Sequence, residues 1–260
     1  MAPQLSTADI NGGQALGFER ALGAFVADCV ARSGCPLPGG RAAGLAAVER
    51  LLDDIDRRPL RTGSDRSLTQ GLAMIGVAYG LYDERLWPGL RQGLDEAVDG
   101  DGSTLLVLAD LYASRGRDGR YQGNAIAALY AVNCLDRPKE SDVAAVRAIA
   151  QRLDTAAPHF GAYLGWSSLP CDFWPVPATS MPHVVRAEGA APILVVGTTR
   201  DPATPYAWAK SLADQLASGR LLTHVGDGHT AYRHGNRCVD RAIDRYLVEG
   251  KLPADGARCA

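Results

Sequence analysis

The sequence predicts an α/β fold in which a mainly helical stretch is followed by a short, incomplete parallel sheet. Three observations carry this expectation. Apolar residues recur at spacings of three and four through most of the first 157 positions, the pattern of helices that bury one face. From residue 191 the pattern becomes short apolar, β-branched runs alternating with helical ones, which is the signature of a parallel α/β sheet. Two strands alone cannot make such a sheet, which needs several partners and cover on both faces, so most of it is expected to lie elsewhere.

Residues 1–12 read as a tail. The first helix is expected over 17–32, ended by Ser33, Gly34 and Pro36. Further helices are expected over 41–56, stopped by Pro59; over 67–79, with Leu68, Leu72, Ile75 and Tyr79 as a core stripe; and over 85–98, 103–114 and 141–153, where Ser141 would cap. Residues 125–134 are apolar throughout and fit a buried helix or a buried strand equally well. Together 13–157 read as one helical region. The prolines at 158, 170, 175, 177 and 182 mark 158–190 as a linker wrapped on the surface. Within 191–260, strands are expected over 191–197 and 221–225, and helices over 206–216 and 238–248.

Composition narrows the function classes. A net charge of −2 with Lys and Arg scattered among acids speaks against nucleic acid. No run approaches the roughly 18 apolar residues of a membrane span, and the first ten residues lack the basic and apolar regions of an export signal. The six cysteines argue in the other direction. None sits in a CxxC spacing, and an even set suggests disulfides, hence an oxidising compartment and a chain missing its own beginning. Cys29 and Cys35 flank a short loop at a helix end, and Cys238 and Cys259 would tie the last helix to the tail, which leaves Cys134 with Cys171. Six buried free thiols are the alternative.

The chemistry lies at the ends of the two strands, where active sites of parallel sheets gather. Asp201-Pro-x-Thr204-Pro follows the first strand and Gly-Asp-Gly-His229-Thr the second, in the order acid then histidine. Alone, Asp201 reads as a turn residue before proline and His229 as a loop histidine; the ordered pair, each after a strand, favours catalysis. These segments resemble the acid and histidine segments of α/β-hydrolases. More specifically, Leu169-Pro-Cys171-Asp-Phe-Trp174-Pro175, the Asp201 motif, and the ending Cys238 … Tyr246-Leu … Gly250 … Leu252-Pro253 … Gly256 … Cys259 resemble the C-terminal part of the tripeptidyl aminopeptidase group over about 165–260. The helical part resembles that group's lid more loosely, through Cys134-Leu-Asp136-Arg-Pro138.

The resemblance implies a secreted or cell-surface serine exopeptidase that releases tripeptides from free N-termini, with His229 as general base and Asp201 as the acid that holds its tautomer. Thr204 would cap the next helix or bond the carboxylate. It also implies lid carboxylates for the substrate ammonium, with Asp110, Asp136 and Asp172 as candidates, and Trp174 at the cleft. Trp87, Trp166 and Trp208 read as packing. No organic cofactor is expected. His224, His229 and His234 share no ligand geometry that would imply a metal, and His159 and His183 read as surface or loop residues without partners.

No Gly-x-Ser-x-Gly elbow occurs in the sequence, and Ser167 and Ser168 run into Leu169-Pro170 rather than a strand-to-helix turn. The segment is therefore expected to be inactive alone and to need an N-terminal half that supplies the serine. Alternatives are a non-catalytic module whose helices bind peptides or a partner, an independent helix bundle with the α/β tail attached, and an esterase or prolyl aminopeptidase-like hydrolase.

Overall fold

A computed structural model describes residues 5–137 and 142–260. Helix α1 (Thr7–Val30) is capped by Ser6, whose hydroxyl accepts from the Asp9 N–H while the Asp9 carboxylate accepts from the Ser6 N–H. This reciprocal capping box starts the helix ten residues before the apolar pattern does, inside the expected tail, because local hydrogen bonding rather than burial sets the first turn. Helices α2 (Arg41–Arg57), α3 (Gln70–Gly80), α4 (Trp87–Val98) and α5 (Ser103–Tyr112) follow, with a 3-10 turn at Glu84–Leu86. Phe25, Leu22, Ile55, Leu90 and Leu105 lie fully buried in the core these helices share.

Two apolar patterns are used differently from expectation. Thr69 caps α3, and Leu68 lies before the helix, paired with Leu60 in an isolated antiparallel bridge. The buried face of α3 is Ala73, Met74 and Val77, whereas Leu72 and Ile75 are half-buried on a cavity wall. Residues 125–134 are not buried: α6 (Ala125–Asp136) is a helix that buries only Cys134 and leaves Leu129 and Val132 half exposed. α7 (Val143–Ala156) is capped by Asp142; the expected cap Ser141 and the motif residue Pro138 lie outside the described residues.

The expected surface linker contains two short helices, α8 (Gly161–Trp166) and α9 (Leu169–Asp172). α8 packs tightly on α7, since a Cβ on Gly165 would stand 2.5 Å from the Ala150 Cα. Only the stretch after α9 runs without regular structure to the sheet.

Strand β1 (Ile193–Arg200), helix α10 (Tyr206–Gln215), strand β2 (Gly219–Asp227) and helix α11 (Arg237–Glu249) form the α/β part. A third strand, β3 (Arg258–Cys259), was not legible in the sequence; it pairs parallel to β2 through Thr223 and His224. The described sheet has the order β1-β2-β3, so one edge of β1 carries no ladder partner among the described residues. A second, smaller core of Leu222, Val239, Ile243 and Ala231 lies beneath it. All six cysteines are paired, as Cys29–Cys35, Cys134–Cys171 and Cys238–Cys259; the last fastens α11 to β3.

Candidate active site at the sheet edge

The parallel register sets Arg200 beside Asp227, so the loops after β1 and β2 leave the sheet at the same edge. Asp201 is the first residue beyond β1 and its side chain is only 4% exposed. A buried carboxylate must find donors, and this one has many. Its Oδ1 accepts from the backbone N–H groups of Ala203 (2.9 Å) and Thr204 (2.8 Å), and its Oδ2 from the Thr204 hydroxyl (3.0 Å) and the Thr230 N–H (3.2 Å). Thr204 thus spends its hydroxyl on the carboxylate. The cap position of α10 belongs to Pro205, which makes no side-chain cap bond.

His229 brings Nδ1 to 3.1 Å from both Asp201 oxygens, and its side chain is 28% exposed. A carboxylate can only accept, so Nδ1 carries the proton and Nε2 is left with its lone pair in the neutral ring. The loop is held from the helical side. The His229 N–H donates to the Tyr82 carbonyl (2.7 Å), and the Tyr82 ring meets the imidazole edge-on, with centroids 5.2 Å apart. Gly228 has φ +93°, and a Cβ there would stand 2.8 Å from the Tyr82 oxygen, so the approach requires glycine on both counts. Thr230, with φ 67°, takes the left-handed conformation as a non-glycine residue, held by its bond to Asp201. Burial, then Tyr112, push the Tyr82 phenol pKa up and keep it protonated.

Other contacts fasten the acid loop. The Arg200 guanidinium donates to Asp227 (2.7 Å), bridging the two strand ends. Gln14 of α1 donates to the Ala203 carbonyl (2.8 Å), and α1 approaches so closely at Gly17 that a Cβ would stand 2.5 Å from the Pro202 oxygen. Glu84 lies against Asp227, and burial together with that carboxylate holds its pKa above the usual range.

Thr204 also lines a cavity of about 990 Å3 walled by α1, α3, α5, α6, α8 and α9. Asp110, Asp172, Ser167 and Ser168 line it; Asp136 and Trp174 do not. Asp136 lies exposed at the end of α6, and Trp208 takes the aromatic place at the wall that Trp174 was expected to hold. Asp110 is engaged by two arginines: Arg66 Nη1 reaches both its oxygens (2.8 and 2.7 Å), and Arg115 Nη1 lies 3.4 Å away. The Ser167 hydroxyl donates to the Leu164 carbonyl (2.6 Å), the geometry of a helix end. Among the described residues no serine hydroxyl bonds the His229 imidazole.

The remaining histidines occupy separate surroundings. His224 lies on β2, 3.4 Å from the Thr198 hydroxyl, and burial, then Arg200, lower its pKa. His234 lies 3.2 Å from Asp83. His159 corrects its assignment to the surface: its side chain is 4% exposed, with Nδ1 2.6 Å from Glu19 and Nε2 3.0 Å from the Leu45 carbonyl. His183 is exposed, near the Met181 carbonyl. The sequence missed Tyr82, Gln14 and Gly17 because each acts through its backbone, an amide or an absent side chain, with no motif around it.

Residues 157–259 match the family model described as TAP-like protein. The chain is 41% identical over 256 residues to the serine protease Hip1 of Mycobacterium tuberculosis, a match covering 95% of this chain and 49% of that protein. It is 39% identical over 264 residues to carboxylesterase B of the same organism, covering 99% and 50%. It is 30% identical over 182 residues to the tripeptidyl aminopeptidase of Streptomyces lividans, covering 69% and 34%. The chain therefore spans about half the length of the first two relatives and about a third of the last.

Proposed function

We propose that this chain, whose residues 157–259 match the family model described as TAP-like protein, supplies the acid and base of a serine peptidase, Asp201 and His229. The serine would come from a hydrolase segment outside these 260 residues, since no elbow-type serine occurs in them. In this reading the His229 Nε2 takes the proton of the serine hydroxyl as its oxygen attacks the scissile carbonyl, then returns it to the departing amine. Asp201 holds the ring in the required tautomer and stabilises the imidazolium, while Thr204 and the backbone donors fix the carboxylate. The single observation that carries the reading is the buried Asp201 carboxylate, surrounded by donors and aligned on the His229 Nδ1 at 3.1 Å.

The relatives named serine protease and tripeptidyl aminopeptidase support a peptide substrate, and release of tripeptides from free N-termini is the finer form of the proposal. The relative named carboxylesterase supports an ester as second substrate class. The test mixes the purified chain with a polypeptide carrying a hydrolase elbow and first strands. Tripeptide amides, their N-acetylated forms and short-chain esters are then assayed. Turnover only in the mixture, falling by at least about 1,000-fold with His229→Ala, is the expected result. Turnover by the chain alone that survives His229→Ala would sink the proposal.

A further inference from the structure

We infer that the cavity beside the acid–base pair selects ligands by a carboxylate, which it receives at the Arg66–Arg115 guanidinium pair. This rests on the peptidase reading only in treating the ligand as a substrate; binding itself does not depend on it.

The argument is a balance of donors and acceptors on the cavity wall. Arg66 and Arg115 share the single carboxylate of Asp110, so the cluster keeps one positive charge in excess. Each guanidinium offers five N–H donors. Both reach Asp110 through Nη1 alone, and neither has another acceptor among the described residues. Both side chains are only about a quarter exposed, at 27% and 23%, so their charge is less screened than in open water. The cluster is built rather than incidental. Arg115 sits at the base of a turn closed by its pairing with Tyr121, and its own N–H donates to the Asp110 carbonyl (2.8 Å).

A second, independent donor faces the same space. Asn11 of α1 lines the cavity and is 7% exposed, and its Nδ2 has no hydrogen-bond partner among the described residues. A buried donor left unsatisfied carries its full desolvation penalty, which an arriving oxygen acceptor would relieve. Its neighbour one helical turn along, Gln14, is by contrast satisfied at the Ala203 carbonyl.

A ligand that docks at this cluster must therefore bring oxygen acceptors and negative charge. The rest of the wall, including Tyr82, Tyr112, Tyr163 and Trp208, adds aromatic surface. The chemical class that satisfies both is a short peptide with apolar side chains and a carboxylate. At Asp110 an ammonium group would have to displace a guanidinium, which leaves Asp172 as the other carboxylate on the wall.

The test is binding to the intact chain, read by calorimetry and intrinsic tryptophan fluorescence at low salt. The probes are N-acetyl-Phe-Leu, its C-terminal amide, N-acetyl-Phe-Asp amide and Phe-Leu amide with a free amine. The acid is expected to bind at least about tenfold tighter than the amide, as a charge-assisted pair requires. N-acetyl-Phe-Asp amide decides whether a side-chain carboxylate serves as well as a terminal one. Arg115→Gln should abolish the preference for acid over amide, Arg115→Lys should keep part of it, and Asp110→Asn should strengthen acid binding by releasing a guanidinium. That opposite sign separates recognition from loss of fold, and circular dichroism checks each variant. Equal binding of acid and amide, tightest binding of the free amine, or no binding of any probe up to millimolar concentration would overturn the inference. Because no turnover is measured, failure of the complementation assay leaves this result standing, and the reverse also holds.

Discussion

In the helical region, Leu22, Phe25, Ile55, Leu90 and Leu105 are sealed in a core shared by five helices, whereas the sheet region buries a small set around Leu222, Val239 and Ile243. The sheet region also leaves one edge of β1 unpaired among the described residues and depends on Cys238–Cys259 to hold its third strand. The proposed acid–base pair sits on the side with the smaller core. Asp201 and His229 both belong to sheet loops, yet their positions are fixed from the helical side, by the Tyr82 carbonyl, the Gln14 amide and the close approach at Gly17. The helical part carries its own core and holds both loops in place.

The seam at Gly17 gives the strongest way to break this comparison. Gly17→Ala gains about 1 kcal/mol of helix propensity, but its methyl would stand 2.5 Å from the Pro202 oxygen and push the acid loop away. Activity of the complemented enzyme should drop on the order of 100-fold with helix content unchanged. An unaltered rate would show that α1 does not set the loop.

Disulfide removal sharpens the contrast in stability. Cys238–Cys259 spans 21 residues of sequence and Cys29–Cys35 spans 6. Chain entropy then predicts losses of about 3 and about 2 kcal/mol for the respective double serine variants. Urea unfolding followed by near-ultraviolet dichroism would measure both. A larger loss at the Cys29 site would reverse the ranking of the two regions.

The smallest effect concerns pH. Burial would depress the His159 pKa, but the bonds to Glu19 and the Leu45 carbonyl outweigh it and raise the pKa. Both partners accept only, so the imidazolium is the form that satisfies them. A raised histidine pKa stabilises the fold below the unfolded value of about 6.5, and that contribution is lost as pH rises through the folded value. His224, whose pKa is lowered by burial and Arg200, has the opposite sign and loses stability as pH falls below about 6.5. The melting temperature of the native chain should therefore fall, relative to that of His159→Gln, as pH is raised from about 6 to about 9. Parallel curves would remove His159 from the account.

Much of the fold and part of the site were legible in the sequence. The change from helical to strand periodicity near residue 191, the parallel β1-α10-β2-α11 order and the acid and histidine after successive strands follow from period and chain order, which are properties of neighbouring residues. The two cysteine pairs favoured by their flanking elements are present, and the two cysteines left over pair with each other. Contacts between distant segments belonged to the tertiary structure alone. It decided that the apolar run in α6 lies exposed along a cavity, that His159 is buried against Glu19, and that Asp110 is occupied by two arginines. The physical reason is the same in each case. Periodicity reports that a residue has an apolar face or a charge, but which partner meets it depends on packing between distant elements, 140 positions apart for Glu19 and His159 and 189 for Gln14 and Ala203, and no local pattern encodes that.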